Sequence, residues 1–181
     1  MPSIRLTLVL LVICSGIYPL VVAGIGTFAP GNGGGEKVIA HNRIVGYANI
    51  GQKFDRDDYF WSRPSAVNYN AAGSGGSNKG PANPDYLAEV QARIDTFLVH
   101  NPGVKKSDIP VDLVTASGSG LDPDISIQAA RVQVPRIARI RNMSEQDLYA
   151  LIEKTKQAPL FRFLGPEKVN VLQLNLALNQ K

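Results

Sequence analysis

Apolar residues fall along the chain in three regimes. In the first they are nearly continuous: Leu6 to Phe28 is 23 residues without a charge. Wound as a helix at ~1.5 Å per residue, that stretch is roughly 34 Å long, against a bilayer core of about 30 Å. The second regime has the period of helices with one buried face. Leu87, Val90, Ile94, Phe97 and Leu98 follow an Asn83 cap with Pro84 at the first helical position, and Asn101-Pro102-Gly103 stops them. This predicts a helix over 84–100. Ile127, Ala130 and Val134 predict a second over 126–134, broken or kinked by Pro135, with Arg136, Arg139 and Arg141 exposed on the turn that follows. Ser144 caps a third over 145–157, with Leu148, Leu151 and Ile152 inward and Pro159 at its end. The third regime consists of short runs of strand type. Lys37–Tyr47 holds two that could pair. Val111, Leu113 and Val114 predict a buried strand over Val111–Thr115, and Val169–Leu178 alternates with a phase slip at Leu172, as a bulged strand would. The expected fold is α/β: a single N-terminal transmembrane helix within residues 1–30, spanning about 6–28, then one mixed α/β domain over 31–181.

The long apolar run decides where the chain resides. Pro19 should kink its helix. Gly16, Pro19 and Ala23 share one side, where small residues let a neighbouring helix come close. A cleaved signal peptide competes, because Val21-Val22-Ala23 fits a cleavage site. The run is long for a signal and stays apolar past Ala23, which favours a retained span. Both readings put residues 31–181 on the same side. With Arg5 and the amino terminus inside, that side is extracytoplasmic, which gives a single-pass plasma-membrane protein with the lipid bilayer as its first partner.

Charge and composition remove several classes. The net charge is +4 with Lys and Arg scattered, so no nucleic-acid footprint is expected. One cysteine, Cys14, excludes an internal disulfide and a thiolate metal cluster. Phe54–Tyr59 (FDRDDY) lacks the glycine and spacing of a calcium loop and reads as a solvated loop. Val45-Gly46-Tyr47 echoes a potassium filter, but the match fails at Ile44 and Ala48, and a filter needs a multi-span pore. Residues 62–84 are very rich in Gly, Ser, Asn, Ala and Pro. Gly73 and Lys79 are spaced as in a phosphate loop, yet Asn78 and Gly80 stand where glycine and a hydroxyl are needed. Arg63, Tyr69 and the asparagines favour an ordered loop over a linker, lying beside the 115–123 turn.

That turn is the centre of the sequence. Ser117-Gly118-Ser119-Gly120 follows the expected strand and precedes the expected helix, an arrangement that would line a concave site with backbone N–H groups. A tight structural turn is the plainer alternative. A hydrolase would need Ser65, Ser117 or Ser119 to meet His41 or His100, and the serine-elbow pattern fails because Ser117 stands in place of its first glycine. A solute-binding module has only the Gly/Ser/Asn loops in its favour.

Three longer strings carry a resemblance. SRPSA…YN…SGGSNKGPANP, IPVDLVTASGSGLDPDIS…AA…QVPRIA and VNVLQLNLAL occur in this order. Together with the single apolar span, they make the chain similar, over almost its whole length, to the C subunit of the Kdp potassium-transporting ATPase. The resemblance implies a complex in which an A subunit translocates potassium and a P-type B subunit hydrolyses ATP. The C subunit is then a non-catalytic accessory partner that assists assembly and, as a catalytic chaperone, raises the ATP affinity of the B subunit. It implies no catalytic residue, no metal ligand and no tightly bound cofactor, with ATP engaged through the complex. Nucleotide or partner contact is expected at Thr115, Ser117, Gly118, Ser119 and Gly120. A partner-contact loop is expected at Ser62, Arg63, Pro64, Ser74, Gly75, Gly76, Ser77 and Asn78. Since ATP is cytoplasmic and the domain is expected outside, the effect on ATP affinity would travel through coupled conformational states. The alternative is a membrane-anchored extracytoplasmic solute-binding or hydrolase domain.

Overall fold

The computed structural model describes residues 2–181, which divide into two units, one ending at Lys37 and one running Val38–Lys181. The first unit is dominated by one continuous helix, Pro2–Gly26, 25 residues long and apolar enough to cross a membrane. It has three parts: α1 (Pro2–Val12), a wider π-helical turn (Ile13–Ile17) and α2 (Tyr18–Gly26). None of its residues is buried. The π turn has a local cause. Pro19 has no N–H and its ring crowds the preceding turn, so the helix widens there, and Tyr18 N–H donates to Ile13 O five residues back. The disturbance expected at Pro19 includes this π-helical turn.

The second unit is mixed, with more helix than the sequence pattern predicts. Two strands, β1 (Lys37–Ala40) and β2 (Arg43–Tyr47), pair as expected. Helix α3 (Pro84–His100) has the predicted bounds, and Asn83 caps it by accepting from Tyr86 N–H. Phe97 is buried, Val90 and Ile94 pack partly, and Leu87 is exposed. Helix α6 (Glu145–Thr155) lies where predicted, with Ser144 as cap and Leu148, Leu151 and Ile152 buried.

Three expectations fail for identifiable reasons. Val111–Thr115 is not a strand. Val111–Leu113 forms a 3₁₀ turn in which Val114 and Thr115 N–H both donate to Val111 O; Leu113 and Val114 are buried while Val111 is exposed. The nearby strand β3 (Asp124–Ser126) is paired antiparallel with β4 (Lys168–Asn170). Val169–Leu178 is a strand only at its start. Asn170 accepts from Gln173 N–H and begins α7 (Val171–Leu178), which buries Val171, Leu174, Asn175 and Leu178 at helical spacing. The phase slip at Leu172 was the helical period itself. Lastly, Pro135 opens a helix instead of breaking one: α4 (Ile127–Arg131) ends early and α5 (Val134–Arg141) carries Pro135 in its first turn.

Arg136 is the largest correction. Its side chain is 1% exposed, while Arg139 is exposed and Arg141 half-buried. The guanidinium donates to Asp57 O at 2.5 Å, Tyr59 O at 3.1 Å, Gln133 Oε1 at 2.7 Å and Asn101 Oδ1 at 3.0 Å. It also stacks on Trp61, 4.7 Å from the ring centre. Desolvation pulls its pKa down to about 10, opposed by Asp57 and Asp58, so it stays charged at neutral pH. The 56–61 segment is therefore not a free solvated loop. Asn175 completes the hold: its Oδ1 accepts from Phe60 N–H and its Nδ2 donates to Phe60 O, both at 2.9 Å, as a partner strand would. Phe60 and Gln133 are fully buried. Replacing Arg136 with methionine keeps bulk but leaves these acceptors unpaired, at a cost of roughly 3–5 kcal/mol. Urea unfolding of the full chain should show that loss as a lower midpoint.

Candidate functional site: two interlocked loops

The serine- and glycine-rich stretches, 62–78 and 115–122, bond to each other through their backbones. Ser117 N–H donates to Pro64 O at 3.2 Å and Gly75 N–H to Ser119 O at 2.9 Å. Ser74 Oγ donates to the same Ser119 O at 2.9 Å. Ser65 is the hub. Its hydroxyl donates to Gly120 O at 2.6 Å and accepts from Val67 and Tyr69 N–H. Tyr69 in turn donates its hydroxyl to Arg63 O, and burial pushes its pKa up. Arg63 Nη1 meets Asp122 Oδ2 at 2.8 Å, both groups only partly exposed.

Close backbone approach explains the glycines. Gly120 has φ +68°, and a Cβ there would stand 2.5 Å from Val67 Cγ2 and 2.8 Å from Gly75 O. A Cβ on Gly76 would stand 3.0 Å from Gly118 O, whereas one on Gly118 would meet nothing within 4 Å. Gly51 belongs to the same joint: its N–H donates to Leu121 O at 2.7 Å. Gly51 and Asp122 carried no sequence signal; only the pairing of Arg63 with a nearby acid could have pointed to the second.

Not every expected site residue joins the lock. Ser62 Oγ donates to Gln52 O, and Thr115 Oγ1 donates back to Val111 O. Among the described residues, Ser77 and Asn78 make no bond to the turn; Asn78 sits at φ +53° beside Lys79, which pairs with Glu89.

The turn is also not a strand-to-helix loop. The next helix, α4, begins seven residues after Gly120. Its N-terminus already holds a carboxylate: Asp112 accepts from Ser126 N–H at 2.7 Å and from Ser126 Oγ at 3.1 Å. Within the turn, Ser117 N–H is bonded to Pro64 O and Gly120 N–H to Ser117 O. The turn's free backbone N–H groups are thereby reduced to those of Gly118 and Ser119. No histidine bonds to Ser65, Ser117 or Ser119 among the described residues; His100 Nδ1 lies 2.8 Å from Asp57 instead. A cavity of about 370 Å³ opens beside this joint, lined in part by Trp61, Ser65, Tyr69, Arg93 and Phe97. Two of its polar groups are engaged too, Ser65 with Gly120 O and Arg93 with Val114 O at 3.1 Å.

The comparisons with known proteins agree along the chain. The family described as "KdpC: K+-transporting ATPase, c chain" matches residues 1–180. A potassium-transporting ATPase KdpC subunit from Flavobacterium johnsoniae is 56% identical over 98% of this chain and 95% of its own length. The one from Flavobacterium psychrophilum is 54% identical with the same coverage. That from Geobacter sulfurreducens is 49% identical over 98% of this chain and 95% of its own. With the apolar helix and the joined loops inside this match, the chain belongs to the KdpC family, the c chain of potassium-transporting ATPases.

Proposed function

We propose that this chain is a non-catalytic accessory subunit of an ATP-driven potassium-transporting complex, held in the membrane by a retained single span. Its amino terminus lies in the cytoplasm and residues 31–181 lie outside. It works by contact with the potassium-translocating and the ATP-hydrolysing subunits. It assists their assembly and raises the ATP affinity of the hydrolysing subunit.

The observation that carries this reading is the mutual bonding of the two loops. A site that seized ATP directly would keep N–H groups and cations free for phosphate oxygens. Here Arg63 faces Asp122, half of the turn's N–H groups are bonded, and the α4 N-terminus faces Asp112. What remains is a stiff surface of small residues around Gly76, Gly118 and Ser119, suited to close packing against a protein. ATP affinity then changes because the subunit favours one conformational state of its partners, and by linkage ATP favours its binding in return.

Two measurements test this. In intact spheroplasts, a membrane-impermeant amine reagent should label the lysines beyond residue 31 without lysis. Labelling only after lysis would place the domain in the cytoplasm and overturn the topology. The second uses the unequal glycines. Gly120→Val meets both a clash and positive φ and should destabilise the chain by about 3 kcal/mol. Gly118→Val enters open space and should change stability by less than about 0.5 kcal/mol, yet reduce co-purification with the partner subunits and potassium-stimulated ATP hydrolysis. Wild-type assembly and hydrolysis in Gly118→Val would remove this surface from the interface.

A further inference from the structure

A second feature lies outside the joined loops. Between α6 and β4 the chain makes a narrow antiparallel hairpin. Gln157 and Lys168 exchange both backbone bonds, at 2.8 and 3.2 Å, and Leu160 and Leu164 do the same at 3.1 and 2.9 Å. Phe161, Arg162 and Phe163 form the tip. Phe161 and Arg162 both have positive φ, +53° and +68°, where turns ordinarily place Asn or Gly. Strained backbone of this kind persists where the surface it creates has a use.

That surface is apolar and open. Leu160, Phe161, Phe163 and Leu164 are 64%, 73%, 75% and 51% exposed. The two phenyl rings lie 6.4 Å apart, tilted by 30°. From Pro159 to Pro166 the only polar side chain is Arg162, at the apex. From Lys154 to Lys168 there are four cationic side chains and one carboxylate, Glu167. Among the described residues, Lys154 and Arg162 enter no ion pair.

We infer that this hairpin tip seats in the interfacial layer of a lipid bilayer, with Leu160, Phe161, Phe163 and Leu164 at the acyl boundary and Arg162 reaching anionic headgroups. From Pro159 to Pro166 the tip offers apolar and aromatic bulk, one cation and no carboxylate. A bilayer interface asks only for apolar and aromatic bulk with a cation that can snorkel. The inference rests on the reading that the span is retained, since that span keeps a bilayer beside every copy of the chain.

The test uses the full chain in nanodiscs of phosphatidylcholine with phosphatidylglycerol, prepared with ordinary or brominated acyl chains. Incorporation into the discs reports on the span. The tip is read separately through Phe161→Trp and, independently, Phe163→Trp, each compared with the parent, whose only tryptophan is Trp61. The added emission should be blue-shifted, lost for the most part with brominated lipid, and restored when Arg162→Glu is combined with either change. Water-like, unquenched emission from chains that have entered the discs would overturn the inference and leave the span intact. Blue-shifted but unquenched emission in the assembled potassium-transporting complex would also overturn it, by showing that a protein covers the tip.

Discussion

A single buried cation organises the folded domain. The guanidinium of Arg136 sits under Trp61 and donates to carbonyls and amide oxygens from three separate stretches of chain, at 57–59, 101 and 133. Burying a charge is costly unless every donor finds an acceptor, so those stretches are constrained together. Asn175 and Gln133 extend the hold: Asn175 pairs both backbone groups of Phe60, and Gln133 accepts from Trp61 N–H at 2.7 Å. A strandless segment thus receives the backbone satisfaction that a sheet would otherwise provide. Phe60 can then enter the core with Ile125, Ile137, Leu148 and Leu174 although it lies on no helix or strand.

The same segment runs on into the joined loops. Once Trp61 is fixed, Arg63, Pro64 and Ser65 follow within four residues, and it is they that meet the 117–122 turn. The small residues of the turn allow backbone to approach backbone, and the hydroxyls of Ser65 and Ser74 close the gaps. Rigidity here comes from polar bonds over a core only on one side. A surface bonded in this way is of the kind that changes shape little on docking.

Helices with clean caps were legible in the sequence. Asn83-Pro84 and Ser144 placed α3 and α6 because capping is local chemistry. The contact between the loops was also legible, from composition alone, because small polar residues in two places have few other ways to satisfy their backbones. What failed was short and context-dependent. Val111–Thr115 has strand composition, but Asp112 is drawn to the α4 N-terminus and the run coils. Val171–Leu178 mixes both periods, and Asn170 as a cap decides for helix. Arg136 could not have been read as buried, since three of its partners are main-chain carbonyls 77 to 80 residues away, which carry no sequence signature. For the candidate site, Gly120 was recognisable as a turn glycine, while the bonds from Ser117 N–H to Pro64 O and from Gly75 N–H to Ser119 O join partners that only the fold brings near.

The central claim is that loop 62–78 is locked onto the 117–122 turn by backbone bonds. Amide hydrogen exchange on the full chain, resolved residue by residue, tests it most directly. The lock predicts that Gly75, Ser117 and Gly120 are protected to a degree approaching core amides such as Ile137, while Gly118 and Ser119 exchange quickly. Exchange at free-peptide rates throughout Ser74–Asn78, with Ser117 equally fast, would contradict it.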